Sequence, residues 1–362
     1  MLAGHVALGT SVAPSPGMRS TPLEKATYIL PIKASRAIAS VEFADYLRSL
    51  SSMVREVIVV DGSPPGIFAD HAAAWGSVVR HVAPKPALAT PMGKVGNVLS
   101  GIDLAAHERV IIADDDVRYD RVSLSRLVAA LDEVDVARPQ NYFDPLPWHA
   151  CWDTSRILLN RVTGGDWPGT LAVRRSILRA TGGYDGNAMF ENLELVRTVL
   201  AAGGRDGAYL DIYVLRRPST ARHFWSQRIR QAYDEIARPR RLIIQLAFLP
   251  IAIALAATGH WLMLALIGAA TIALAEVGRR RAGGTRAFPF GTSLFAPLWI
   301  AERAVCSWLA VSSRIIFGGV RYRGTVLNLA ANPLSKLCAR HGGTDLRGND
   351  ANPDHTARYR SA

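Results

Sequence analysis

IIADDDVRYD, residues 111–120, sets three consecutive acidic side chains directly after an apolar run. Like charges at adjacent positions repel, a cost most simply met by a cation or protonated partner among them. The formal net charge of the chain is +12, so concentrating negative charge here runs against its overall balance. If the apolar run is a strand, the acids stand at its carboxyl end, where open α/β sheets bind their ligands.

The residues on either side support that reading. From about residue 25 to 240, β-rich runs alternate with helical spacing, the pattern of a parallel sheet covered by helices. TYILPI (27–32), EVIVVDG (56–62), SVVRHVA (77–83) and RVIIAD (109–114) read as strands; 41–53 and 94–107 read as helices. Asp61 and Asp114 to Asp116 both fall at strand ends. No Gly-x-x-x-x-Gly-Lys-Ser/Thr loop is present and no Gly-x-Gly-x-x-Gly follows the first strand, which argues against P-loop nucleotidases and simple dinucleotide oxidoreductases. A strand ending in Asp-x-Asp suits a diphosphate chelated to Mn2+ or Mg2+, hard ions that take carboxylate and phosphate oxygens. An acidic solvated turn has the same local sequence. Neither a Gly-x-Ser-x-Gly hydrolase motif nor a His/Cys zinc cluster appears.

Composition points to a second region. Of 362 residues, 49% are hydrophobic, and the mean hydropathy is +0.12. The apolar excess lies in residues 242–277, two runs separated by Gly259 and His260. Each approaches the roughly 17–25 residues a membrane-crossing helix needs, which predicts a transmembrane hairpin. ARPRR (237–241) and GRRRAGGTR (278–286) flank it. Positive charge gathers on the cytoplasmic side, so the N-terminal domain should be cytoplasmic in an integral membrane protein. The basic balance then faces anionic lipid, and no motif suggests nucleic acid. Residues 1–24 read as a flexible lead-in without a secretory apolar segment. Cys151, Cys306 and Cys338 suggest neither a disulfide framework nor a zinc site.

Further stretches follow in order: MGKVGNVLSGIDLA around Lys94 and Asn97, WPGTLAVRRSILRATGGYDGNAMFENLELVRTVLAAGGRD (167–206), and QRIRQ (227–231) just before the hairpin. With the strands and Asp-x-Asp, this order resembles the family 2 glycosyltransferases across residues 27–241, in particular their membrane-anchored, ceramide glucosyltransferase-like and cellulose synthase-like branch. The resemblance implies a GT-A fold, an α/β domain with a Rossmann-like mixed sheet spanning 25–241. It implies inverting transfer of a sugar from a nucleoside diphosphate sugar, a UDP- or GDP-sugar, to an acceptor hydroxyl. By the same resemblance Asp114 and Asp116 would hold the metal, with Asp114 also at the donor. Asp61 would meet the base or ribose, and Asn97 would accompany Lys94 at the donor. Lys94 would contact the nucleotide or a phosphate, or is a solvated lysine at a helix start. Arg230 and Gln227 would lie beside the diphosphate and acceptor, whereas Arg228 reads as solvated or lipid-facing.

Two departures bear on mechanism. Relatives carry Glu-Asp, whose Asp is the general base; here Glu191 precedes Asn192, and a neutral amide accepts no proton. Glu191 itself, or Glu194 one turn on, would then be the base; otherwise the chain is a silent relative serving as a membrane interaction partner. The Trp ending Gln-x-x-Arg-Trp is Gln231 here, with Trp225 the nearby aromatic candidate for the acceptor. Two spans make a poor channel, so a single transfer to a membrane lipid fits better than polysaccharide synthesis onto a glycan. Residues 288–324, interrupted by Glu302 and Arg303, predict an interfacial or re-entrant helical region. The polar residues 332–362 read as a disordered tail.

Overall fold

The computed structural model describes residues 24–38 and 40–342. The expected lead-in, except Glu24, and residues 343–362 of the expected tail lie outside them. The chain runs β1 (Glu24–Ile32), α1 (Val41–Ser51), β2 (Val54–Asp61), α2 (Pro65–Trp75), β3 (Arg80–Val82), α3 (Gly93–Leu104) and β4 (Arg109–Ala113). It continues through β5 (Val117–Arg118), α4 (Arg121–Ala130), β6 (Val136–Phe143), α5 (Trp148–Thr163), β7 (Thr170–Arg174), α6 (Arg175–Ala180), α7 (Glu191–Ala201) and β8 (Asp206–Arg216). After α8 (Ala221–Tyr233) come three long helices, α9 (Pro239–Ala257), α10 (Trp261–Arg280) and α11 (Ala296–Phe317). A hairpin of β9 (Val320–Tyr322) and β10 (Thr325–Leu327) and the short α12 (Leu334–His341) end the described chain.

Eight strands form one sheet in the order β3-β2-β1-β4-β7-β6-β8-β5. The first four run parallel, and β7 turns the sheet mixed by pairing antiparallel with both β4 and β6. This mixed α/β sheet followed by long apolar helices is the expected fold class. Alternation explains why helices cover both faces. In β1 and β2, Ile29, Ile58 and Val60 meet Val95, Val98 and Ile102 of α3 on one side. Tyr28, Leu30, Val57 and Val59 meet Phe43, Leu47 and Leu50 of α1 on the other. Strands buried on both faces read as continuous apolar runs, which is why they were visible in sequence.

Among the described residues, three helices are long and apolar enough to cross a membrane: Pro239–Ala257, Trp261–Arg286 and Phe290–Phe317, the last two counted with adjoining 3-10 turns. They fit a transmembrane or interfacial region. α11 differs from the other two. Its charged pair does not face outward: Arg303 is 2% exposed, and Glu302 lies 3.5 Å from Arg228 of α8. Gln245 and Ser307 join α9 to α11 by a 2.9 Å hydrogen bond.

The reading of 332–342 as disordered is corrected. Asn332 is fully buried; its backbone N–H and side-chain amide donate to Glu194 at 2.7 and 2.8 Å, and the amide also reaches Asp185 at 3.0 Å. Leu337 of α12 is buried as well. Polar composition concealed a segment whose few apolar and amide groups dock on α7.

Candidate active site

Beyond the carboxyl ends of β1 and β4 opens a cleft of about 1560 Å3. Asp114, Asp115 and Asp116 form part of its wall, with Lys94 from α3, Glu191 from the start of α7, Arg216 from the end of β8, and Gln227 and Arg230 from α8. The sheet puts these together because β4 ends where β7 begins: Asp114 N–H donates to Gly169 O at 2.8 Å. A Cβ at 169 would stand 2.6 Å from the Asp114 carboxylate, so only glycine permits this approach.

The acids are held by two cations. Lys94 Nζ is 2.5 Å from Asp114 and 2.7 Å from Glu191. Arg216 donates to Asp116 at 2.8 Å and lies 3.6 Å from Asp114. Burial works against ionisation of Asp114, but Lys94 and Arg216 hold its pKa below the ordinary carboxylate value. Burial and the two neighbouring carboxylates push Asp115 up to about 6. Asp116 is also raised, mainly by burial, despite Arg216. Asp116 Oδ1 is buried and has no hydrogen-bond partner. An orphaned carboxylate oxygen among crowded acids is what a divalent cation would complete, so the residues present fit Mn2+ or Mg2+.

The other strand-end acid behaves differently. Asp61, expected at the nucleotide base or ribose, is 1% exposed and is not among the residues that line the cleft. Its carboxylate accepts from Ser63 N–H at 2.9 Å and meets His71 Nδ1 at 2.7 Å and His81 Nε2 at 3.1 Å. Asp61, His71 and His81 are close enough together to suggest a metal. However, His71 Nε2 accepts from Ile38 N–H at 2.8 Å, so Nδ1 carries the proton and donates to Asp61, and neither nitrogen keeps a lone pair for an ion. The group is a closed hydrogen-bond network. Asn97 reaches the cleft wall, but its amide donates to Ile32 O and Val60 O at 2.8 and 3.1 Å, tying α3 to the ends of β1 and β2. It positions Lys94 through the helix they share.

At α7 the two candidate bases separate. Glu191 lines the cleft, while Glu194 is fully buried with both oxygens taken by Asn332, so its expectation as a base is corrected. Residues i and i+3 share a helix face; it is Asn332 that covers Glu194 and leaves Glu191 open to the cleft. The Asn192 amide donates to Pro168 O at 3.2 Å and so ties α7 to the segment before β7.

α8 divides in the same way. Arg230 faces the cleft with its guanidinium 5.3 Å from the Tyr322 ring centroid. Gln227 also lines the cleft. Arg228, read as solvated or lipid-facing, is 2% exposed and bonds Asp153 at 2.9 Å and Gln231. Trp225 is about half exposed and packs with Trp148, Trp152 and Phe224, none of which lines the cleft.

Sequence reasoning missed two contributors, Arg216 and Asp234. Arg216 pairs with an acid 100 positions away, a tertiary contact with no local signal. Asp234 lines the cleft four residues after Arg230, a helical i, i+4 spacing that would have flagged it. Burial and the nearby Glu191 push its carboxyl up to about 8, against the pull of Arg238 and Arg230. The β9–β10 hairpin brings Arg321, Tyr322 and Arg323 to the rim, where Arg323 donates to Lys33 O at 3.2 Å. A second, smaller polar cavity shares Asp114, Glu191, Arg216, Gln231 and Asp234 with the cleft.

No protein-family model matches the chain, and no curated protein does. Among solved structures, it is similar to a mannosyltransferase from Pyrobaculum calidifontis in complex with GDP-Man and Mn2+. Identity there is 20% over 82% of this chain and 90% of that one, with a TM-score of 0.49. It is also similar to glucosyl-3-phosphoglycerate synthase from Mycobacterium tuberculosis in complex with Mn2+, UDP and glucosyl-3-phosphoglycerate (16% identity, 59% and 81% coverage, TM-score 0.40). A third is mannosyl-3-phosphoglycerate synthase from Rubrobacter xylanophilus (14%, 57% and 70%, TM-score 0.38). Function therefore has to be argued from this chain's own residues.

Proposed function

We propose that this chain is a metal-dependent, inverting glycosyltransferase of the GT-A, family 2 type. It would move a sugar from a UDP- or GDP-sugar to a hydroxyl of a membrane lipid at the cytoplasmic face. The observation that carries the reading is the convergence of Asp114, Asp116, Lys94, Glu191 and Arg230 on one cleft at the carboxyl end of a sheet, beside an apolar helical hairpin. Both the helix exposure and the flanking arginines support α9 and α10 as the two spans. For α11 the contacts support an interfacial placement, since α8 packs against it and β9, just beyond its end, lines the cleft.

Asp114 and Asp116 would hold Mn2+ or Mg2+, which when bound neutralises charge developing on the leaving diphosphate. Arg230 adds a fixed positive charge on the same side. In the transfer, the acceptor oxygen forms a bond to the anomeric carbon while the bond from that carbon to the diphosphate oxygen breaks, its electron pair leaving with the diphosphate. The hydroxyl proton goes to a carboxylate on the opposite face. In this reading Glu191 takes the proton, and donor binding would draw Lys94 from Glu191 toward the diphosphate and free the base. A catalytically silent relative is favoured by one observation: in the present geometry Glu191 is occupied by Lys94.

Nucleoside diphosphate release from UDP- and GDP-sugars with Mn2+, by the purified full chain in lipid, tests the reading. Consumption of one sugar, abolished by Asp116→Ala and Glu191→Gln, is the expected result. If no donor turns over and none binds, the silent relative replaces it.

A further inference from the structure

The small cavity beside the cleft encloses about 160 Å3, room for one compact polar group or a few waters. Its basic wall comes from Arg156 of α5, Arg238 and Arg241 at and just before the first turn of α9, and Trp299 and Arg303 of α11. Arg303 is 2% exposed and Trp299 4%. Nε and Nη1 of Arg303, Nε of Arg156, Nε of Arg238 and the indole N–H of Trp299 are buried without an acceptor.

Part of this charge is compensated. Arg156 meets Asp166 at 2.6 Å, Arg238 meets Glu235 at 2.8 Å, and Arg241 lies 3.5 Å from Glu235. Arg303 stands 5.4 Å from the Trp299 ring centroid and forms no ion pair among the described residues. The oxygens on the same wall that accept no hydrogen bond, Asp234 Oδ1 and Glu235 Oε2, the latter facing Arg241, are fewer than the N–H groups that donate none. Buried guanidinium donors left unsatisfied are costly, and a surplus of them calls for a group that brings both acceptors and negative charge. Phosphate does so, and guanidinium forks match its oxygens.

We infer that the acceptor is a phosphate-bearing lipid whose phosphate seats among Arg156, Arg238, Arg241 and Arg303, with its reacting hydroxyl beside Glu191. This rests on the glycosyltransferase reading above. Glu191 borders both spaces, so one molecule anchored in the small cavity reaches the donor in the cleft. The lipid source is favoured over a soluble ester because Arg238, Arg241, Trp299 and Arg303 belong to the junction with the apolar helices, the side from which a headgroup arrives.

The test uses the full chain in detergent micelles doped with phosphatidylinositol or with diacylglycerol, or supplied with inorganic phosphate. Tryptophan fluorescence reads phosphate binding, and Mn2+-dependent UDP and GDP binding is measured in parallel. Phosphatidylinositol should bind more tightly than diacylglycerol, which lacks the phosphate. Arg303→Gln should weaken it by about tenfold or more, since a lost charge-assisted hydrogen bond is worth roughly 1.5–3 kcal/mol. Arg241→Gln should act in the same direction and keeps the test usable if the buried variant folds poorly. Arg280→Gln, at a residue 70% exposed outside the cavity, should have no such effect. Equal losses for Arg280→Gln and the cavity variants, no preference over diacylglycerol, or equal binding of inorganic phosphate would each overturn the inference. Absence of UDP and GDP binding by the unaltered protein would instead sink the glycosyltransferase reading, whatever the lipid result.

Discussion

Asp61 and the Asp114–Asp116 cluster both end strands of one sheet, yet they do opposite things. Asp61 is sealed by Ser63, His71 and His81, so its carboxylate has no capacity left. The cluster opens on the cleft, carries only two cations for three acids, and leaves Asp116 Oδ1 unpaired. Position at a strand end therefore does not make a ligand site; unsatisfied capacity does.

The comparison breaks most sharply at Asp116. Asp116→Ala should cut donor turnover by about 10³-fold, the scale of losing a group that stabilises transition-state charge, while the fold survives because like-charge repulsion is relieved. Chelation with EDTA should have the same effect on Mn2+-dependent nucleotide binding. Normal turnover in Asp116→Ala would reduce the cluster to a solvated turn.

Glu191→Gln comes next, with an expected loss of about 10²-fold in kcat and nucleotide affinity unchanged. Glu194→Gln serves as its foil. Thermal unfolding should show a loss of roughly 1–3 kcal/mol, because a buried carboxylate bonded twice to Asn332 is disturbed. If instead Glu194→Gln abolishes transfer at full stability, the assignment of α7 faces is wrong.

Asp61→Asn should likewise cost about 1–3 kcal/mol of stability and leave nucleotide affinity of the folded protein intact. A specific loss of nucleotide binding would return Asp61 to the donor site.

The smallest effect is a pH dependence at Asp234. Its folded-state pKa of about 8 lies above the ordinary carboxyl value. The stability linked to its protonated form is complete in acid and is lost as pH rises through 8. Glu191 and Glu235 face it with like charge, Arg238 and Arg230 with opposite charge. Asp234→Asn should flatten this dependence. Between about pH 5 and 8 the unaltered protein should lose stability relative to the variant, by at most about 1.4 kcal/mol per pH unit, and above 8 the difference should level off. Parallel melting curves across that range would show that Asp234 is already ionised at neutral pH.

Much of this was legible in the chain. β1, β2 and β4 are doubly buried runs whose apolar residues announce them, and the Asp-x-Asp motif, Lys94, Glu191 and Arg230 carry local spacing that places them on strand ends and helix starts. The long apolar helices are written in composition, because no soluble surface needs such runs. Pairing across distance was not legible. That Arg216 neutralises Asp116, that His71 and His81 close over Asp61, that Asn332 occupies Glu194, and that Arg303 turns inward are decided by sheet order and helix docking. Sequence by itself determined which residues have the chemistry for metal, phosphate and proton transfer. Tertiary structure decided which of them remain unsatisfied, because a side chain's capacity depends on partners brought together by the fold and not by their separation along the chain.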